Sequence, residues 1–202
     1  MKTLVVHYTP RAGSNTQDLL NYLITKLDTE PTYLNLAENP APHMDTETLN
    51  AYVNRNFGGG DVQANEGLAH MDRLHDQLAE HDHVVIAFPM YNFSEPASIK
   101  AWFDSVIQAG KSFAMTESGP KGLFTEKRAI VITTSGSDLS ENSPWAGQEH
   151  SHSLAMAQLG FIGISTDVVY AHSTNNHELY ADQERLAKEK IDSIAERWSA
   201  SE

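Results

Sequence analysis

Cysteine is absent from all 202 residues, which excludes disulfides, cysteine-held iron–sulfur clusters and thiol catalysis for this chain. Basic residues are scarce. Lys and Arg number 14 against 27 Asp and Glu, a formal charge of −13, whereas a nucleic-acid backbone asks for a basic face. Nucleic acid is therefore not an expected partner. No apolar run is long enough to cross a membrane, and Met1-Lys2-Thr3 leads straight into Leu4-Val5-Val6 without a signal-peptide pattern. The expectation is a soluble cytoplasmic protein with no membrane partner. Several signatures are also missing: the Gly-Lys-Ser/Thr end of a Walker loop, Gly-x-Gly-x-x-Gly, Gly-x-Ser-x-Gly and His-Glu-x-x-His. The histidines at 70, 75, 81 and 83 fit no standard metal spacing and read as solvated, 150 and 152 make a poor metal pair, and 172 and 177 lack matching ligands, so no metal is expected.

What is present centres on residues 83–104, HVVIAFPMYNFSEPASIKAWFD. Val84 to Phe88 is an unbroken apolar run, rich in β-branched residues and too short for a buried helix. It suits a central strand of a parallel sheet covered on both faces. Pro89 ends the run and Met90-Tyr91-Asn92-Phe93 follows as an aromatic, polar loop. Ser94 and Pro96 then resemble an N-cap and an early helical position, ahead of Ile99, Trp102, Phe103 and Val106 at helical spacing.

Four further strands are expected, at 3–8, 31–36, 129–133 and 167–171. Leu19 to Leu27 carries a helical pattern behind the loop Thr9 to Thr16. A long connection, 37–80, holds helical pieces near 47–57 and 65–78, with a flexible break at Gly58-Gly59-Gly60. Residues 110–122 are non-periodic with turn signals. Helices are expected near 147–159 and over 178–198. Strands alternating with helices, without an internal repeat, imply one domain over 1–202 with a doubly wound parallel sheet.

The three loops that follow strands 1, 3 and 4 of this scheme become neighbours if the strand order is flavodoxin-like, 2-1-3-4-5. Loop 9–16 offers Thr9, Arg11, Ser14, Asn15 and Thr16 beside a helix amino terminus, where unpaired N–H groups attract anions. It reads either as a phosphate cradle or as an ordinary capped turn. Loop 134–137, Thr134-Ser135-Gly136-Ser137, either lets a flat ligand approach the backbone or is a plain turn. Together with the aromatic loop they would surround a ligand with a phosphate end and a flat ring, a shape that FMN fits.

The chain resembles the FMN-dependent NADH azoreductases of the flavodoxin-like quinone reductase superfamily. The matching residues are Pro89 to Phe93, Gly119-Pro120 with Gly122, Ala129 to Thr133, and Leu159-Gly160-Phe161-Ile162-Gly163. The resemblance implies a homodimer with two FMN sites at its interface. It implies FMN phosphate on Thr9, Arg11, Ser14, Asn15 and Thr16. The ring would lie along Pro89, Met90, Tyr91, Asn92 and Phe93 and against Thr134, Ser135, Gly136 and Ser137. Phe113, Met115 and Phe161 would border the substrate stack from the partner chain. NADH or NADPH would supply electrons to a quinone or azo acceptor in a two-electron ping-pong cycle, with no side chain as catalytic acid or base. Relative to this pattern the phosphate loop is one residue short between Gly13 and Ser14, and the loop after residue 133 lacks a second glycine and a histidine. A one-electron flavodoxin-type carrier, suited by the acidic charge, and a regulatory protein without cofactor are the rival readings.

Overall fold

Along β3 (His83–Pro89) the side chains alternate between two cores. Val84, Ile86 and Phe88 enter one apolar cluster, and Val85 and Ala87 enter the other. A strand buried on both faces has no polar positions, which explains its continuous apolar sequence. The computed structural model describes residues 1–58 and 64–199. The expected glycine break at 58–60 lies outside the described residues apart from Gly58.

β1 (Thr3–His7), β2 (Thr32–Asn35), β6 (Arg128–Thr134) and β7 (Ser165–Ala171) join β3 in a parallel sheet of order β2-β1-β3-β6-β7. That is the expected order, with two further strands inserted in the chain. Those two, β4 (Phe113–Thr116) and β5 (Gly119–Gly122), form a separate antiparallel hairpin within the stretch expected to be irregular. Helices α1 (Asn15–Ile24) and α6 (His177–Ser199) cover one face through Leu19, Leu20, Leu23, Ile191, Ile194 and Trp198. Helices α3 (Glu66–Ala79), α4 (Ala97–Val106) and α5 (Ser151–Phe161) cover the other.

Three boundaries differ from the sequence expectation for identifiable reasons. Ser94 does not cap α4, because its backbone pairs with Tyr91 and the helix begins only after Pro96. Helix α5 starts at Ser151 and not near 147, where the Glu149 carboxylate accepts hydrogen bonds from the amides of Ser151 and His152. Helix α2 (Thr46–Val53) passes into a π-helical turn at Asn54–Gly58. From that turn the Arg55 guanidinium reaches Asp72 at 2.7 Å and Gln108 at 2.7 Å. Burial alone would raise the Asp72 carboxyl, but hydrogen bonds from Lys111 and Arg55 outweigh it and hold it below the usual range. This pairing ties the long 37–80 excursion to the loop after α4.

Candidate functional site

At the carboxyl ends of β1, β3 and β6 the chain opens a cleft of about 240 Å³. It is lined by Thr9, Pro10, Arg11, Ser14, Asn15, Pro89, Met90, Tyr91, Thr134, Gly136, Thr174 and Asn175. Nine of the residues expected from the sequence therefore meet here. The remaining loop residues support them or flank them.

The β1–α1 loop forms one end. Ser14 is the N-cap of α1, but its oxygen accepts only a long bond, 3.4 Å, from the Gln17 amide. Its hydroxyl proton remains available. The first-turn amides of α1 have no partner inside the helix and carry its positive dipole end. Thr9 is different: its hydroxyl donates to Gln17 Oε1 at 2.6 Å, so the His7 Nδ1 at 3.0 Å must donate to it. Thr16 is almost fully buried, and its hydroxyl lies 2.7 Å from that of Thr134. Within this loop, Ser14, Asn15 and the exposed Arg11 are thus the side-chain donors left for an anion in the cleft.

The β3 loop is a tight reversal. Tyr91 and Ser94 exchange backbone hydrogen bonds of 2.9 and 3.1 Å across Asn92 and Phe93, whose φ angles are +50° and +71°. Two consecutive positive φ values match a type I′ turn. Asn tolerates that conformation, whereas an aromatic residue there costs about 1–3 kcal/mol. The strain is held by three ties: Met90 N–H to the Thr134 carbonyl (2.8 Å), His150 N–H to the Phe93 carbonyl (3.0 Å), and the edge-on Tyr8–Tyr91 ring contact.

The β6 loop is held from below by the loop after β7. Ser135 N–H donates to the Ala171 carbonyl, and the Thr174 and Asn175 amides donate to the carbonyls of Ser135 and Gly136. A Cβ on Gly136 would come within 2.6 Å of the Asn175 side-chain Nδ2, so a larger residue there would displace that side chain from the loop. The Ser135 hydroxyl donates to the Ser137 carbonyl at 2.9 Å, so the Tyr170 hydroxyl, 2.7 Å away, must be the donor to Ser135. Burial pushes the Tyr170 phenol up to about 12, against the pull of that Ser135 bond, which keeps the proton in place. Accounting for the backbone, the amides of Asn92, Phe93, Gly136 and Ser137 make no hydrogen bond among the described residues. Two loops therefore carry free N–H donors beside a cleft whose far end suits a phosphate. That donor set fits FMN.

Phe113, Met115 and Phe161 stand apart from the cleft lining. Gly122 packs so closely on the Ile162–Gly163 backbone that any side chain there would meet it at 2.2 Å. This docks the hairpin onto the end of α5 and brings the Phe113 and Phe161 rings to 4.8 Å, with Met115 and Phe161 exposed. Thr174 and Asn175 escaped the sequence reading, as did the Tyr170 contact. The register Thr133↔Tyr170 places that phenol beside the β6 loop only once the sheet is assembled. Among the described residues no group of three or more His, Asp or Glu is placed to hold a metal ion. No described helix is long and apolar enough to cross a membrane.

Comparison with known proteins fits this geometry. Residues 1–196 match the family described as having a flavodoxin-like fold. An FMN-dependent NADH:quinone oxidoreductase of Azospirillum brasilense is 33% identical over 171 residues, 83% of this chain and 82% of that protein. One from Shewanella loihica is 40% identical over 150 residues, 72% of each. Among solved structures, an FMN-dependent NADH-azoreductase from Bacillus anthracis in complex with FMN shares the fold at a TM-score of 0.84 and 23% identity, covering 96% of this chain and 100% of that one. Its cleft, its sheet order and these relatives place the chain in the flavodoxin-like family of FMN-dependent NADH:quinone oxidoreductases.

Proposed function

We propose that this protein is an FMN-dependent reductase that passes two electrons from NADH or NADPH to quinones and azo compounds, with donor and acceptor occupying one place in turn. The observation that carries this reading is the convergence of the β1, β3 and β6 loops on one cleft. Bound FMN supplies the hydride and two-electron chemistry.

The residues of the chain bind, orient and polarise. Ser14, Asn15, Arg11 and the first-turn amides of α1 hold the phosphate, with Thr9 and Thr16 bracing them. Pro89 to Phe93 and Thr134, Ser135, Gly136 and Ser137 would hold the flat ring. The amides of Asn92, Phe93, Gly136 and Ser137, which have no hydrogen-bond partner among the described residues, would be the donors available to stabilise negative charge on a bound flavin ring. No side chain serves as acid or base, and water supplies protons.

The protein acts as one domain, 1–202, in the cytoplasm. It pairs as a homodimer in which Phe113, Met115 and Phe161 of one copy border the substrate stack of the other. Sedimentation at micromolar protein should give twice the chain mass, and a monomer that turns over quinone would refute the shared site. The activity itself is tested by loading the purified protein with FMN and following NADH oxidation with benzoquinone. A protein that binds no FMN, or binds it without oxidising NADH, is not this enzyme.

A further inference from the structure

Between β6 and α5 the chain runs irregularly through residues 135–150, yet it is closely knit. The Asp138 carboxylate accepts from the Ser140 amide at 2.8 Å, and the Ser143 hydroxyl donates to the Asp138 carbonyl at 2.9 Å. That same hydroxyl accepts from the Trp145 amide at 3.0 Å. Leu139 is buried beneath, and His150 N–H closes the segment onto the Phe93 carbonyl at 3.0 Å. The result sets the Trp145 indole against the Phe93 ring, centroids 5.9 Å apart and planes inclined by 35°.

Both rings face solvent in part, Trp145 being 52% and Phe93 41% exposed, whereas Trp102 and Trp198 are buried. Phe93 stands half in water on a strained turn, and Trp145 is held in its loop by its backbone N–H to Ser143 and not by its indole, so local hydrogen bonding does not account for the exposed pair. A rigid pair of ring faces beside Tyr91, which lines the cleft, gives one. Offset aromatic surfaces at these separations bind further flat rings in the same way.

We propose that Trp145 is a specificity-determining residue, which with Phe93 forms a stacking shelf at the mouth of the cleft for fused-ring aromatic acceptors. The inference rests on the reductase reading above. A one-ring acceptor is short enough to be held within the cleft, and a two-ring acceptor projects onto the shelf. The preference this creates is for naphthoquinone-like over benzoquinone-like compounds.

The test uses FMN-loaded protein. Calorimetric titration with 2-naphthol, a fused ring that accepts no electrons, should give a Kd raised about three- to ten-fold in W145A and near wild type in W145F, the range expected for losing one aromatic partner. The ratio of KM for menadione to KM for benzoquinone should rise by the same factor in W145A. FMN affinity, measured separately on both proteins, should not change. Equal 2-naphthol affinity in W145A and wild type overturns the shelf, as does an indole that iodide cannot quench because a second copy covers it. Failure of wild type to bind FMN sinks the reductase reading instead, so the two failures are distinguishable.

Discussion

The hydroxyls of Thr16 and Thr134 meet at 2.7 Å, both residues buried, and join the β1–α1 loop to the β6 loop across the β1–β3–β6 part of the sheet. Both residues are nearly fully buried and neither hydroxyl has another partner among the described residues, so each is the other's means of satisfying its hydrogen bonding. T16V alone strands the Thr134 hydroxyl and should cost about 1–3 kcal/mol, whereas T16V/T134V should recover much of that. Urea unfolding of the four proteins of this cycle measures the coupling. Additive effects would mean that the contact stabilises nothing.

Ser14 differs from Thr16 in having its proton free. Charge-assisted bonds contribute roughly 1.5–3 kcal/mol each, so S14A should weaken FMN binding about ten-fold or more. Its capping bond is long, 3.4 Å, and the stability loss should stay within about 1 kcal/mol. Fluorescence titration of the apoprotein with FMN, beside a thermal melt, separates the two. FMN held as tightly as in wild type would place the phosphate elsewhere.

The contrast between these two residues marks how far the sequence could be read. Strand positions and the meeting of the three loops follow from local pattern, because strands buried on both faces must be apolar throughout. Which hydroxyl points inward does not. Ser14 and Thr16 look alike in sequence, and only the pairing of Thr16 with residue 134 separates them. The β4–β5 hairpin was illegible for a related reason. Its strands have four residues each and include Gly119, Pro120 and Gly122, which argue against a strand. What fixes the hairpin is contact with the Ile162–Gly163 backbone. Thr174 and Asn175 reach the cleft through a turn at Ser173, φ +62°, held by hydrogen bonds to the β6 loop.

Glu95, next to the strained turn, is buried at the start of the connection to α4. One carboxylate oxygen accepts from Gln158 at 3.2 Å and the other has no partner. Burial raises its pKa to about 7, with the Gln158 bond and the Lys100 charge opposing and Asp104 adding to the rise. A raised folded-state pKa means that the native state binds the proton more tightly. The resulting stability is fully present below the ordinary carboxyl range and is lost as pH climbs through about 7. E95Q removes the charge and should stabilise the protein at pH 8, by roughly 1–3 kcal/mol, and much less at pH 5. Melting temperatures of both proteins at the two pH values test this. A difference independent of pH would mean that Glu95 does not titrate in this window.

The proposed order of the reaction rests on the cleft that the β1, β3 and β6 loops share. One cleft gathers residues from Thr9 to Asn175, the sequence holds no Gly-x-Gly-x-x-Gly loop, and among the described residues the sheet has no second switch point for a nicotinamide nucleotide. On the proposed reading, donor and acceptor take turns in this cleft, near the unbonded amides of Asn92, Phe93, Gly136 and Ser137. Initial rates with NADH and menadione should give parallel lines in double-reciprocal plots, and each substrate in excess should compete with the other. Intersecting lines would require both to be bound at once, and with them a second site. Those backbone donors favour a ring carrying extra negative charge, so dithionite titration should run in one two-electron stage. Two resolved one-electron stages would assign the protein to the electron carriers while leaving every element of the fold in place.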